Sequence, residues 1–191
     1  MNINETISKK KLIVDVIVKL MDEEGMKNVT IKDICDNANI SVGAFYHYFR
    51  SKESVVDEMY EVMDEFFLYN MDSIAGHFTT HEDIIDFTSH FGFFIEQWGY
   101  YANLLILRSS IDNKEKDNLA KPRKIYKVLE DIILIGIEEK NFYLPLEMDD
   151  FISTIFVAIR AYLFEWAKKG NDYPVRNNMV RHMEWLMRSL G

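Results

Sequence analysis

Apolar residues recur at helical spacing along the whole chain, and short polar stretches separate the apolar runs. Apolar positions three, four and seven residues apart form one stripe on a helix, whereas strict alternation would indicate a strand. The pattern predicts an all-α fold of nine helices, with no convincing strand and no internal repeat. The predicted helices cover residues 7–24, 31–38, 42–49, 51–74, 82–98, 100–111, 122–140, 149–169 and 174–190.

The clearest helix boundaries lie near the start of the chain. Thr30 can accept the backbone N–H of Asp33 while the Asp33 carboxylate reaches back to Thr30, and this capping box begins a helix. Asn39 tolerates the left-handed conformation in which many helices end. Ser41 can cap a second short helix and Ser51 a third, longer one. The sequence therefore predicts two short helices joined by a tight turn, followed by a long helix.

The second of these short helices has an unusual outer face. At about 100° of rotation per residue, Phe45 and Phe49 lie together on one side, and Val42 projects near them. A helix exposed only to water would carry Lys and Glu on its other side. Here that side is small or weakly polar, two tyrosines flank it, and a lysine follows the helix: Gly43, Ala44, His47, Tyr46, Tyr48 and Lys52. Small residues that admit the backbone to base edges, with flanking groups for phosphates, are typical of a helix that enters the DNA major groove.

The run from Ile40 to Phe49, followed by Ser51, Lys52 and Glu53, resembles the helix-turn-helix signature of the TetR family of transcriptional regulators. Residue type and spacing agree through this run, so the match is more specific than a lone short motif. The close resemblance covers the first quarter of the chain, and beyond it only length and helical layout agree. It implies an N-terminal three-helix helix-turn-helix domain, residues 1–50, and a C-terminal effector-binding and dimerisation domain, residues 51–191.

Geometry and resemblance together predict a set of DNA contacts. From the geometry we expect Gly43, Ala44 and His47 to face bases, and Tyr46, Tyr48 and Lys52 to face phosphates. The resemblance implies a phosphate contact from Thr30 and a base contact from Val42, although helical projection turns Val42 toward the core. Many family members carry Thr where this chain has Ala44, so a hydroxyl contact from that position is absent. Most members repress transcription, which makes a repressor the default.

The charge distribution is compatible with DNA binding once the chain is divided. The formal net charge is −9, from 22 Lys and Arg against 31 Asp and Glu, yet residues 1–55 carry eight of each sign. Phosphate neutralisation supplies most non-specific affinity, so a neutral module binds DNA modestly as a monomer and much better as a pair. Cations cluster at Lys9–Lys11, Arg50 and Lys52. The lysine run fits phosphate contacts or a solvated terminus equally well.

Composition indicates a folded cytoplasmic protein. The 191 residues are 48% hydrophobic and include three prolines and eight glycines, which argues against disorder. The N-terminal sequence lacks the apolar core of a signal peptide, and no run of apolar residues is long enough to span a membrane. The single cysteine cannot form an internal disulfide. We therefore expect no membrane association.

The last two predicted helices are apolar on more than one side, so each needs more than one neighbour. Burial within one chain is the alternative, but a dimer seam is favoured. In the resembling family these helices pair with their symmetry mates as a four-helix bundle, and a twofold pair places two recognition helices on a palindromic operator. The candidate seam residues are Ile152, Ile155, Ile159, Leu163, Met179, Met183 and Leu186.

Aromatic residues with a few polar neighbours in the middle helices suit a small, mostly apolar ligand. At any single position such residues more often form plain core, but the resemblance implies an enclosed inducer, and the helix from Ser51 would transmit its binding to the DNA-binding domain. Neither the identity nor the charge of this effector follows from the sequence. The candidate lining residues are Phe91, Phe94, Trp98, Tyr101, Arg108, Tyr126, Phe156 and Arg160.

Enzyme, cofactor and metal signatures are missing from the sequence. It has no nucleophile elbow, no glycine-rich phosphate loop, no His-Glu-x-x-His and no paired-cysteine site. His77, His81 and His90 occur near Asp83 and Asp86, but a solvated loop is favoured over a metal site. Two alternative functions remain: a helical scaffold or adaptor that has lost DNA binding, and a small-molecule enzyme that uses the aromatic pocket.

Overall fold

The computed structural model describes residues 3–24, 28–52, 54–112, 123–140, 142–170 and 173–190. All regular secondary structure in these ranges is helical, so the predicted all-α fold is confirmed. None of these helices has both the length and the apolar character needed to cross a membrane. The helices are α1 (Ile3–Glu24), α2 (Ile31–Ala38), α3 (Val42–Tyr48), α4 (Val55–Ile74), α5 (Thr80–Asp112), α6 (Lys124–Glu139), α7 (Met148–Lys168) and α8 (Val175–Leu190).

A glycine interrupts α5. Gly99 has φ 78° and ψ −177°, a conformation that a residue with a Cβ atom rarely adopts. The helix therefore consists of two segments that meet at Gly99, as the sequence predicts, and the described residues contain nine helical segments. Among these segments α1 begins four residues earlier than expected.

The predicted start of α4 at Ser51 is wrong. Ser51 and Ser54 hydrogen bond to each other instead: the Ser54 N–H donates to Ser51 Oγ at 3.2 Å, and the Ser51 N–H donates to Ser54 Oγ at 3.0 Å. This reciprocal arrangement satisfies the backbone donors within a turn, and the helix begins only after it, at Val55. Ser51 thus closes the turn between α3 and α4.

The chain divides into two compact units. The first combines Met1–Val62 with Gln97–Lys116. Its core is built from one face of α1 and the inner sides of α2, α3 and the start of α4. The buried residues that define this core include Ile13, Val14, Ile17, Val18, Ile34, Cys35, Phe45, Phe49, Val55 and Met59.

The second unit combines Met63–Glu96 with Asp117–Gly191. Aromatic and aliphatic side chains fill its core, and two ion pairs with little solvent exposure cross between helices. Lys140 Nζ lies 2.5 Å from the carboxylate of the fully buried Asp83. Arg123 Nη2 lies 2.5 Å from Asp64 on α4. Buried charges require partners of this kind, because an unpaired one would carry a large desolvation cost.

Candidate nucleic-acid interface

The turn that leads into α2 has the predicted cap. Thr30 Oγ1 accepts the Asp33 N–H at 3.2 Å, and the Thr30 N–H donates to Asp33 Oδ2 at 2.9 Å. The hydroxyl and then the N–H of Thr30 lower the pKa of Asp33, because both stabilise the carboxylate. The cap is therefore strongest above the ordinary pKa of aspartate and weakens as pH falls through the lowered one. At the other end of α2, Asn39 is left-handed, with φ 52° and ψ 48°.

The inner side of α3 locks the helix in place. Ser41 caps it by accepting the Ala44 N–H at 3.1 Å, as predicted. Phe45 and Phe49 are both buried, and their ring centroids lie 5.5 Å apart. The Tyr46 ring stands edge-on to Phe45 at 5.6 Å. The burial of Phe45 and Phe49 in the core of the first unit fixes the rotation of the helix about its axis, and so determines which residues face outward.

The outer side of α3 is open to solvent. Gly43 and His47 are exposed, Tyr46 is 54% exposed, and Ala44 and Tyr48 are half-buried. A Cβ atom added at Gly43 would meet only Ser41 Oγ, at 3.9 Å. Among the described residues of the first unit, no other atom lies within 4 Å of that position, so the backbone at Gly43 is accessible.

Val42 lies on this open side and is 48% exposed. The prediction that Val42 projects toward the core is therefore wrong. The reason is the length of α3. With seven residues the helix makes under two turns, and its buried contacts come from Phe45 and the C-cap residue Phe49. The first turn extends beyond those contacts, and a residue there is exposed regardless of its angular position.

The cations near α3 differ in accessibility. Lys52 Nζ donates to the carbonyl oxygen of Val29 at 2.7 Å. Lys10 is buried, with Nζ 3.3 Å from Glu58 Oε2 and 5.6 Å from the centre of the Phe49 ring. Both interpretations of the lysine run, phosphate contact and solvated terminus, are therefore wrong for Lys10. Lys10 precedes Ile13, Val14 and Ile17 by three, four and seven residues. This spacing indicates that Lys10 lies on the buried face of α1.

Residues that the sequence analysis did not single out complete this region. The Val29 carbonyl anchors Lys52, and the Glu58 carboxylate pairs with Lys10. Each contact joins residues far apart in the chain, and no local sequence pattern encodes such a contact. The eight predicted DNA-contacting residues, Thr30, Val42, Gly43, Ala44, Tyr46, His47, Tyr48 and Lys52, all belong to the first unit.

The predicted dimer-seam residues are mostly buried within the chain itself. Six of them have almost no surface left for a partner: Ile152, Ile155, Ile159, Leu163, Met179 and Met183. Leu186 is half-buried. Among the described side chains of α7 and α8, the large apolar ones that stay exposed are Val157, Phe164 and Trp185, and Trp185 is 70% exposed. Trp185 also lines an apolar groove together with Ala158, Tyr162, His182, Met183 and Leu186.

Four of the predicted effector-lining residues pack as core of the second unit. The Phe91 ring lies 5.8 Å from Phe67, and the Phe94 ring lies 5.6 Å from Phe66. Tyr126 and Phe156 stack on each other with centroids 6.2 Å apart. All four residues are buried, and an effector pocket there stays a prediction.

The other predicted lining residues lie elsewhere. Trp98 is buried in the first unit, whereas Arg160 is exposed on α7. The side chains of Tyr101 and Arg108 lie outside the described residues.

The predicted solvated loop holds only for His77, which precedes α5, because His81 and His90 lie within α5. His77 Nε2 and His90 Nδ1 each lie 3.3 Å from a different oxygen of Asp86. The His81 ring instead stands edge-on to Phe142 at 5.4 Å. In the described part of the chain, no group of three or more His, Cys, Asp or Glu side chains is arranged to hold a metal ion.

Comparison with known proteins finds similar sequences and similar folds. Residues 13–59, which contain α2, α3 and the turns that join them to α1 and α4, match the family model described as bacterial regulatory proteins, tetR family. The HTH-type transcriptional repressor KstR2 of Mycobacterium tuberculosis is 28% identical, over 81% of this chain and 82% of the relative.

Solved structures share the whole fold. The fatty acid degradation regulator FadR from Bacillus halodurans superimposes with a TM-score of 0.64 at 20% identity, covering 94% of each chain. The transcriptional regulator FadR from Bacillus subtilis, solved in complex with stearoyl-CoA, gives 0.61 at 20% identity, covering 92% of this chain and 96% of that one. Identities this low show the fold alone. The match to the tetR family model is to residues 13–59, and the rest of the chain shares its fold with these regulators.

Proposed function

We propose that this protein is a transcriptional repressor that binds operator DNA through the open side of α3 and leaves it when a small molecule binds. The single observation that carries the proposal is the contrast between the two sides of that helix. One side is fixed by the burial of Phe45 and Phe49, and the other exposes backbone at Gly43 next to His47. A rigid helix with an accessible backbone suits the major groove, where base edges distinguish sequences.

The proposed contacts follow from this orientation. Val42, Gly43, Ala44 and His47 face bases. Thr30, Tyr46, Tyr48 and Lys52 face phosphates, which set the register of the protein on the duplex without reading sequence. Residues 1–50 form the proposed DNA-binding domain, and residues 51–191 the effector-binding and dimerisation domain.

We further propose that two copies bind a palindromic operator. The apolar groove on α7 and α8, which the exposed Trp185 helps to line, supports a seam between copies. Contiguous apolar surface marks interaction sites, whereas single exposed apolar residues do not. The seam is placed on the exposed residues of these helices rather than on the buried ones that the sequence pattern selects. A twofold pair presents two recognition helices to two half-sites.

The effector is proposed to be small and mostly apolar, because aromatic side chains dominate the second unit. An effector lowers DNA affinity only if it binds the DNA-free arrangement more tightly than the DNA-bound one. We propose that effector binding displaces α4, which directly follows the turn after α3, and thereby alters the DNA-binding domain. The stearoyl-CoA complex of the Bacillus subtilis regulator makes long-chain acyl-CoA thioesters the first compounds to screen by thermal stabilisation of this protein.

An electrophoretic mobility shift with DNA from upstream of the protein's own gene tests the proposal. A shift that weakens as salt rises supports it, because counterion release makes phosphate-mediated binding salt-dependent. No shift at any salt concentration would favour the scaffold or adaptor function. Turnover of a bound compound, followed by mass spectrometry, would instead favour the enzyme.

A further inference from the structure

The positive charges around α3 are not equally available to DNA. Lys10 is buried and paired with Glu58, and Lys52 holds the Val29 carbonyl. Arg50 contrasts with both, because its side chain is 91% exposed. It follows directly after Phe49, the buried C-cap residue of α3. The guanidinium is therefore carried on a fixed point of the backbone but is itself open to solvent.

Among the described residues, the carboxylate that pairs with Arg50 is that of Glu58, and it holds Arg50 weakly. Arg50 Nε lies 3.9 Å from Glu58 Oε1, beyond hydrogen-bond distance, whereas Lys10 Nζ lies 3.3 Å from Glu58 Oε2. Lys10 thus already neutralises the Glu58 charge, and the three groups together carry one net positive charge. Ion pairs with an exposed partner contribute little to stability, so Arg50 can exchange this carboxylate for another anion at small cost.

Arg50 also lies between two proposed phosphate ligands along the chain, Tyr48 and Lys52. A guanidinium presents a planar fork of N–H donors that matches two oxygens of one phosphate. We propose that Arg50 binds a backbone phosphate of the operator. The ion pair of the buried Lys10 with the half-buried Glu58 keeps Arg50 available, because it neutralises the only acid among the described contacts of Arg50. This inference rests on the proposed DNA-binding function and adds a contact to it.

The test compares Arg50→Ala, Arg50→Lys and Arg188→Ala with the unaltered protein. Arg188 is exposed on α8 in the second unit, so its removal changes the net charge equally but away from α3. Binding is measured by fluorescence anisotropy over a range of KCl concentrations. The probes are a labelled duplex from upstream of the gene and a scrambled duplex of the same base composition.

We expect Arg50→Ala to weaken binding to both duplexes by the same factor, because phosphate contacts carry no sequence information. The slope of log K against log salt should fall by about 1 per protomer, or about 2 for a dimer. The Arg50→Lys variant should keep the slope of log K against log salt, because its charge is unchanged. It should bind DNA more weakly, because lysine lacks the planar set of N–H donors that matches two phosphate oxygens. Arg188→Ala should match the unaltered protein, and thermal unfolding should be the same for all four.

The inference about Arg50 and the proposed DNA-binding function are overturned by different results. If the unaltered protein binds DNA with salt dependence and Arg50→Ala retains the same affinity and slope, the inference about Arg50 is overturned and the proposed function stands. If Arg188→Ala lowers the slope as much as Arg50→Ala, the effect is one of net charge, and the inference is overturned as well. If the unaltered protein binds neither duplex at the lowest salt concentration, both claims are overturned.

Discussion

Lys52 Nζ donates a hydrogen bond of 2.7 Å to the carbonyl oxygen of Val29, a residue 23 positions earlier in the chain. Val29 is buried and immediately precedes Thr30, the cap of α2. The contact therefore ties the turn after α3 to the start of α2. These two turns flank the helix-turn-helix pair, so Lys52 contributes to its rigidity as well as to its charge.

Replacing Lys52 with Ala should lower the free energy of unfolding by about 1–2 kcal/mol, because a hydrogen bond from a charged donor is lost and a carbonyl loses its partner. Chemical denaturation monitored by circular dichroism measures this. Lys32→Ala is the matched control, since Lys32 is an exposed lysine on α2 and its loss should change stability by less than about 0.5 kcal/mol. Equal stability of the two variants would show that the contact with Val29 does not hold these turns together.

Gly43→Ala separates stability from DNA binding. The added methyl group meets only Ser41 Oγ at 3.9 Å, and Ala favours helix over Gly by up to about 1 kcal/mol. Thermal unfolding should therefore show an unchanged or more stable protein. If the backbone at Gly43 approaches base edges, the same methyl group should reduce operator affinity by about 1–3 kcal/mol, the worth of one good base contact.

Fluorescence anisotropy titrations with the upstream duplex measure the operator affinity of the Gly43→Ala variant. A variant that is more stable and binds as tightly as the unaltered protein would remove Gly43 from the interface. A variant that loses both stability and affinity would mean that the space beside Gly43 is not open in solution.

Trp185→Glu tests the proposed seam on α7 and α8. The side chain is 70% exposed, so its replacement should leave the monomer folded. Burial of such a side chain at an interface contributes about 1.5–3 kcal/mol, and a buried Glu adds a desolvation cost. We expect the dimer dissociation constant to rise at least about tenfold in sedimentation experiments. Tyr143→Glu, at an exposed residue before α7, is the charge-matched control, and equal dissociation constants would place the seam elsewhere.

The local features of this fold were predictable because short-range chemistry sets them. The cap formed by Thr30 and Asp33, the left-handed Asn39 and the break at Gly99 all depend on residues within a few positions of one another. Hydrophobic spacing likewise identified the helices, since the buried side of each repeats with the helical period. The same helical spacing predicts that Gly43 and His47 lie on the open side of α3.

The features that the sequence did not predict depend on contacts between distant residues. Periodicity shows which face of α7 is apolar, but not whether this chain or a partner covers that face, so it selects residues such as Ile155 that are buried within the chain. The burial of Lys10 depends on Glu58, and the exposure of Val42 depends on where the core ends. Aromatic residues such as Phe156 pack the same way in a core as around a ligand, so composition cannot separate the two.

A hydroxyl-radical footprint on the DNA upstream of the gene tests the central claim most directly. Two copies that each insert α3 into the major groove should protect two patches on one side of the duplex, about one helical turn or a whole number of turns apart. Gly43→Ala should weaken both patches without moving them. Cleavage that stays uniform at low salt, with the folded dimer present in excess, would contradict the claim that the open side of α3 binds DNA.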